Sequence, residues 1–397
     1  FSFGSPADPS HDGEILSRNG VVVVSITYRV GNLGFLALPE LSAENPQHVS
    51  GNYGILDQIA GLKWVKNNIA NFGGDPNNVT IFGESAGGIS VSMLCASPLA
   101  KGLFQRAISQ SGGSFGPTRK TTYPGENMKT LAMAEQDGKA IAQKLGASSL
   151  ADLRALDAAK FAGQDMSGFG AWPIVDGYVI PEPIYDLYEK GNYNDVPVLI
   201  MHNSDEGAVD YDSVSVDDYN RQMSQLPGQW ADSAKAVYPG TTDEERLFSM
   251  RDFTRDVGFG WPAYAWTTLQ KKTGKSPVYS AYLAQNSDRT VYAKGHRRGA
   301  AHADDMMYLK GAFDDEAEKY PQEKKVSDLM QQYWVNFAKT GGNPNGEGLP
   351  YWPVFEEGKV TVMQFNNGAS LIETPNQKRI RLIDDFMKYV RSPRETK

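Results

Sequence analysis

Short runs of β-branched residues alternate with helix-like segments along this chain, and that alternation restricts its fold more than any other feature. Val21-Val22-Val23-Val24-Ser25-Ile26-Thr27-Tyr28 has the composition of a parallel strand buried on both faces. Val79-Thr80-Ile81-Phe82 reads as a second strand, Ala107-Ile108-Ser109 as a weaker third, Val196–Met201 as a fourth and Val278–Leu283 as a fifth. Between the first two, Leu56, Ile59, Leu62, Val65 and Ile69 recur at a spacing near that of an α-helix. Ile89, Met93 and Leu94 repeat the pattern after the second. Parallel neighbours need crossover connections, and helices make them. The expected class is therefore α/β, a mostly parallel central sheet with helices on both faces. Segments 120–190 and 208–275 are more polar and helix-prone, and are expected to be helical insertions covering the active site within a single domain spanning 1–397.

Charge and composition narrow the function classes. The net charge is -8 at pH 7 and the pI about 5.3. Nucleic acids and anionic membrane surfaces are bound chiefly through Lys and Arg, so neither is an expected partner. The run Val21–Tyr28 is too short to span a bilayer. The opening Phe1-Ser2-Phe3-Gly4-Ser5-Pro6 has neither the basic start nor the apolar middle of a signal peptide. The one cysteine, Cys95, cannot form an intramolecular disulfide, which leaves the compartment open.

Two segments match Gly-x-Ser-x-Gly: Gly83-Glu84-Ser85-Ala86-Gly87 and Gly112-Gly113-Ser114-Phe115-Gly116. A serine nucleophile on this pattern sits on a sharp turn between a strand and a helix. Ser85 has that context, with Val79–Phe82 before it and the helix-like segment Ser90–Leu94 after it. Ser114 is followed by Pro117, Thr118 and Arg119 without apolar periodicity, and reads as a Gly-rich loop.

A serine hydroxyl attacks only if a neighbouring base takes its proton. The histidines are His11, His48, His202, His296 and His302. In this strand-turn-helix arrangement the order is serine, acid, histidine. His302, in the small-residue loop Gly299–Asp305 after the fifth strand, suits the base. His296 lies in a basic, surface-like run, and His202 precedes the acid-bearing segment, Asn203-Ser204-Asp205-Glu206-Gly207. By chemistry alone either Asp205 or Glu206 could hold the imidazole.

These residues resemble the type-B carboxylesterase family, which includes cholinesterases and bacterial para-nitrobenzyl esterases. The resemblance is carried by Tyr28-Arg29-Val30-Gly31, Gly51–Gln58, Trp64-Val65, Asn68-Ile69, Phe72–Pro76, Phe82–Gly88, Ser109–Gly112, Pro173–Gly177 and Tyr351-Trp352-Pro353. It covers almost the whole chain and implies an α/β-hydrolase fold. It implies a carboxylic-ester hydrolase with Ser85 as nucleophile, His302 as base and Glu206 as acid. It further implies Ala86 as an oxyanion-hole donor, Glu84 and Ser111 as neighbours of the triad, and a buried structural ion pair between Arg29 and Asp75. No metal or organic cofactor is needed, and the expected partner is a small-molecule ester. Trp172, Phe259 and Trp261, with Tyr264 and Trp266, are candidates for the substrate pocket. Met201-His202 and Asp305 depart from the family pattern without removing a catalytic group.

The family's His-Gly-Gly-Gly run, whose amides complete the oxyanion hole, has no counterpart here, and Phe1 aligns just after it. The sequence is expected to be partial, with an upstream segment supplied by the same gene or by a separate polypeptide. Two alternative functions are a non-catalytic cholinesterase-like binding protein and a metal-dependent hydrolase using His202, Asp205, Glu206, His302, Asp304 and Asp305. Intact-mass measurement of the active protein is expected to show more than the 43.5 kDa of this sequence. A single active species of that mass would overturn the expectation.

Overall fold

Four of the five expected strands lie side by side in one sheet. The structure, a computed structural model, describes residues 1–8, 11–118, 128–161, 172–207, 214–289, 297–359 and 361–392. Its strands are β1 (Thr80–Glu84), β2 (Arg106–Gln110), β3 (Lys129–Thr130), β4 (Ile174–Val175), β5 (Val198–Asn203), β6 (Val278–Leu283), β7 (Thr361–Phe365) and β8 (Ala369–Glu373). The main sheet runs β1-β2-β5-β6-β7-β8, while β3 and β4 pair separately. All its pairings are parallel except β7 with β8. This is the mostly parallel sheet of an α/β-hydrolase.

Side-chain alternation along the strands builds a core on each face. Ala107, Val198, Ile200 and Val278 point into one cluster with Ile55, Ile59 and Leu62 of the Tyr53–Asn68 helix. Ile108, Leu199, Met201, Tyr279 and Ala281 point into the other, with Val326, Met330, Trp334 and Phe337 of the Pro321–Lys339 helix. The Ala86–Ala96 helix is buried nearly all round. Its serines are hydrogen-bonded locally: Ser90 Oγ donates to the Ala86 carbonyl at 2.9 Å and Ser92 Oγ to that of Ile89 at 2.7 Å. Because β1, β2, β5 and β6 run the same way, their C-terminal ends share one edge. Ser85, Ser111 and Glu206 emerge there, as does the loop leading from β6 to His302. That edge is where open α/β sheets bind ligands.

The first expected strand is a correction. Val21–Tyr28 forms no ladder with any described strand, and β1 is the end strand of the sheet. Val22 is 47% and Val24 38% exposed, while Ile26 and Tyr28 pack against the main core. β propensity in such a run expresses packing on a neighbouring strand, and no described strand lies beside it to supply that surface. The described parts of segments 120–190 and 208–275 carry helices such as Leu131–Lys144, Asp243–Arg255 and Trp261–Thr273, with the short β3–β4 pair in the first of them. Among the described residues no helix is long and apolar enough to cross a membrane.

The two Gly-x-Ser-x-Gly segments meet in space. A Cβ on Gly112 would lie 2.5 Å from the Gly88 carbonyl carbon, so backbone packs directly on backbone there. A Cβ on Gly87 would meet nothing within 4 Å. Gly112→Ala is therefore expected to lower unfolding stability by about 1–3 kcal/mol through overpacking. Gly87→Ala is expected to cost nothing measurable in urea titrations of the two variants.

Candidate active site

Ser85 holds a backbone conformation that few non-glycine residues adopt, with φ 53° and ψ -118°. β1 ends at Glu84 and the helix begins at Ala86, so one residue must make the whole turn. The turn is held from below, where the Ser85 N–H donates to the Gln110 carbonyl at 2.9 Å. It is closed tightly at its base, since a Cβ on Gly83 would lie 2.5 Å from the Gly87 carbonyl carbon. Strain of this kind persists only where the surroundings over-determine it. Ala86 opens the following helix, whose first N–H groups have no carbonyl partner within the helix.

His302 stands over that serine. Its Nε2 is 2.8 Å from Ser85 Oγ and its Nδ1 is 2.8 Å from Glu206 Oε2. Glu206 is 2% exposed, and its second oxygen accepts from Ser111 Oγ at 2.8 Å and from the Asn203 N–H. Burial pushes His302 toward the neutral form, but the hydrogen bond and charge of Glu206, with Glu84 and Asp305, outweigh it and raise the imidazole above its ordinary value. The geometry settles the choice between the two acids of the loop. Asp205 instead accepts from Arg251 Nη2 at 2.9 Å and from the Arg298 N–H at 3.0 Å. It fixes the loop, and Glu206 reaches the histidine.

Glu84 lies beneath the pair, with Oε1 3.4 Å from His302 Nε2 and without a hydrogen-bond partner. Burial, reinforced by the charge of Asp305, pushes its carboxyl up to about 8. Asp305 is fully buried and ties three elements together. Its oxygens accept from Asn203 Nδ2 at 2.9 Å and from Gln110 Nε2, while Trp334 Nε1 donates to Gln110 Oε1 at 3.0 Å. Sequence reasoning missed Gln110 and Asn203. Their signal was an amide side chain as the last residue of a buried strand, at β2 and at β5.

The remaining candidates separate clearly. Ser114 is 2% exposed in the loop beside the elbow helix, where its N–H donates to Ser92 Oγ at 3.2 Å. His202 sits 5.0 Å from the Tyr282 ring, and burial with the nearby Arg255 lowers it to about 3, leaving it neutral. His296 lies outside the described residues. Arg29 pairs with Asp57 rather than Asp75, through contacts of 2.8 Å from both Nε and Nη2. Its side chain is 54% exposed, so the expected buried pair is half open to solvent. Asp75 turns to its own loop and accepts from the Asn77 N–H at 2.8 Å. The motif spacing could not reveal Asp57, because the pairing depends on how the Tyr53–Asn68 helix is docked.

Of the three pocket candidates, only Phe259 reaches the triad, stacking on His302 with ring centroids 4.7 Å apart. Trp261 belongs to the core instead: it is 1% exposed and its Nε1 donates to Asp384 at 3.1 Å. Trp266 is likewise buried, and Tyr264 packs against the same core. Trp172 packs edge-on against Phe1 with centroids 4.7 Å apart. Among the described residues no three His, Cys, Asp or Glu side chains converge as a metal site requires.

The family model for the carboxylesterase family matches residues 1–383. The chain belongs to the carboxylesterase family. Among its relatives, a fumonisin B1 esterase of Sphingopyxis macrogoltabida is 34% identical over 404 residues, which cover 95% of this chain and 70% of that protein. The para-nitrobenzyl esterase of Bacillus subtilis (strain 168) is 33% identical over 396 residues, 96% of this chain and 77% of that protein. Against liver carboxylesterase 1F of Rattus norvegicus, at 33% identity, the chain covers 66% of the relative's length. A solved structure of a para-nitrobenzyl esterase superposes with a TM-score of 0.78 at 30% identity, covering 96% of this chain and 79% of that one. This carboxylesterase hydrolyses carboxylic esters of small molecules.

The raised His302 gives a pH test. Only neutral imidazole can take a proton, so activity rises with pH through the His302 titration. Glu206→Gln removes the hydrogen bond and charge that raise it, so the acid limb of kcat/KM is expected to move to lower pH. Loss of the correct tautomer should also reduce kcat by about 10²–10⁴. A pH-rate profile of the variant reads both effects.

Proposed function

We propose that this carboxylesterase works through an acyl-enzyme on Ser85, with His302 as general base and acid and Glu206 as the group that holds the imidazole. Ser85 Oγ attacks the ester carbonyl carbon while His302 Nε2 takes the hydroxyl proton. The tetrahedral oxyanion forms facing the N–H of Ala86. Its collapse breaks the bond to the alcohol oxygen, which leaves with the proton from His302. Water then attacks the acyl-enzyme as His302 removes one of its protons. Collapse of the second intermediate releases the carboxylic acid and returns the proton to Ser85. Glu206 keeps Nδ1 protonated, so Nε2 presents its lone pair to Ser85. The observation that carries this reading is the chain of two 2.8 Å contacts from Ser85 through His302 to Glu206.

One amide makes an incomplete oxyanion hole, and losing a single donor typically costs about 10²–10³ in rate. At least one further N–H donor at the oxyanion is part of the same proposal. The helical segments 120–190 and 208–275 are proposed to cover the site as parts of one catalytic domain.

Ser85→Ala is expected to lower ester turnover by at least about 10³-fold, and an organophosphate is expected to label Ser85 and no other serine. Turnover that survives this substitution and disappears with a chelator would instead favour a metal-dependent mechanism.

A further inference from the structure

Two in-plane hydrogen bonds do not by themselves fix the imidazole of His302. Rotation about its Cβ–Cγ bond sweeps the ring out of its plane and carries Nε2 away from Ser85 Oγ. An acceptor stands close by: Glu84 Oε1 lies 3.4 Å from Nε2 and has no hydrogen-bond partner among the described residues. His302 must present Nε2 to the serine, then to the leaving oxygen, then to water. A ring that settles on Glu84 at any of these stages stalls the reaction.

Phe259 lies against one face of that imidazole, with an angle of 30° between the ring planes. It stands on the wide π-helical turn Asp256–Gly260, between the helices Asp243–Arg255 and Trp261–Thr273. Such single turns mark sites where a helix is distorted to aim a side chain. The turn is firmly held. Asp256 is fully buried and accepts from Arg255 Nε at 2.9 Å and Tyr238 Oη at 2.9 Å, with Arg379 Nε at 3.1 Å. The same Arg255 donates to the Ser204 carbonyl at 2.7 Å, and Arg251, one turn earlier, holds Asp205. One helical frame therefore mounts both the acid loop and the ring that backs the base.

We infer that Phe259 is a positioning residue for the hydrolysis, a rigid backstop that blocks rotation of His302 and keeps Nε2 on the Ser85 side. This rests on the triad proposed above. The face of a phenyl ring also favours a cation, so the stack suits the imidazolium formed transiently at each step. A residue serving only as a contact for the acyl chain would act differently, through binding that grows with the size of that chain.

Steady-state kinetics with para-nitrophenyl acetate, butyrate and octanoate separate these roles. Phe259→Leu removes the flat ring and keeps most of its volume. It is expected to lower kcat by about 10- to 100-fold, equally for all three esters, with KM within about twofold. Phe259→Tyr, which keeps the ring, is expected to retain most of kcat. Phe259→Met is measured beside them, each variant being checked by thermal melting, so that poor folding of one does not decide the result. An unchanged kcat on the acetate would overturn the inference, as would a KM that rises with acyl length or a Tyr variant as slow as the Leu variant. Ser85→Ala in the same assay keeps the two claims apart. Its survival overturns the triad and the inference together, whereas its loss beside a normal Phe259→Leu overturns the inference alone.

Discussion

The buried carboxylate of Glu206 is the constraint on which the rest of the site depends. A charge taken from water costs several kcal/mol unless hydrogen bonds replace the solvent. Glu206 is 2% exposed and its partners come from three separate places in the chain. Ser111 follows β2, the Asn203 N–H closes β5, and His302 follows β6. A parallel sheet brings those three strand ends to one edge, so the charge is solvated only when the sheet is assembled. Folding and construction of the site are in this sense the same event.

Around that charge the structure keeps similar groups apart by giving each a different neighbour. Asp205 and Glu206 are adjacent in sequence, yet one is paired with Arg251 and the other with His302. Asp305 is tied to Asn203 and Gln110, and Glu84 is left without a hydrogen bond on Oε1. Burial and the nearby Asp305 push Glu84 upward, which limits the negative charge crowded around the imidazole. The arginines of the Asp243–Arg255 helix anchor the acid loop, and the turn that follows carries Phe259 to the base.

Much of this was legible in the sequence because it is encoded locally. A strand, a Gly-rich turn and a buried helix around Ser85 occupy one short segment, and each element is specified by the residues within it. β6 matched its expected range, Val278–Leu283, because a strand buried at every position but Ser280 is written as a mostly apolar run. The same signature misled at Val21–Tyr28, since composition reports a capacity to pair and cannot supply the neighbour. Arg29 and Trp261 show a second limit. Their partners, Asp57 and Asp384, lie on helices whose docking no local pattern contains.

By itself the sequence determined that the chain builds a parallel α/β sheet, that Ser85 stands on a strained strand-to-helix turn, and that His302 and an acid of the segment Asn203–Gly207 follow it in the order the chemistry requires. Period-2 and period-3.6 patterns, turn glycines and chain order are all properties of short stretches or of their sequence along the chain. Residue chemistry left Asp205 and Glu206 open and the family resemblance implied Glu206; only the tertiary structure decided that Asp305, Gln110 and Asn203 lock the strand ends together, and that Phe259 rather than Trp261 lies against His302. Those are distances between residues far apart in the chain, and they are fixed by packing that exists only once the layers have closed on one another.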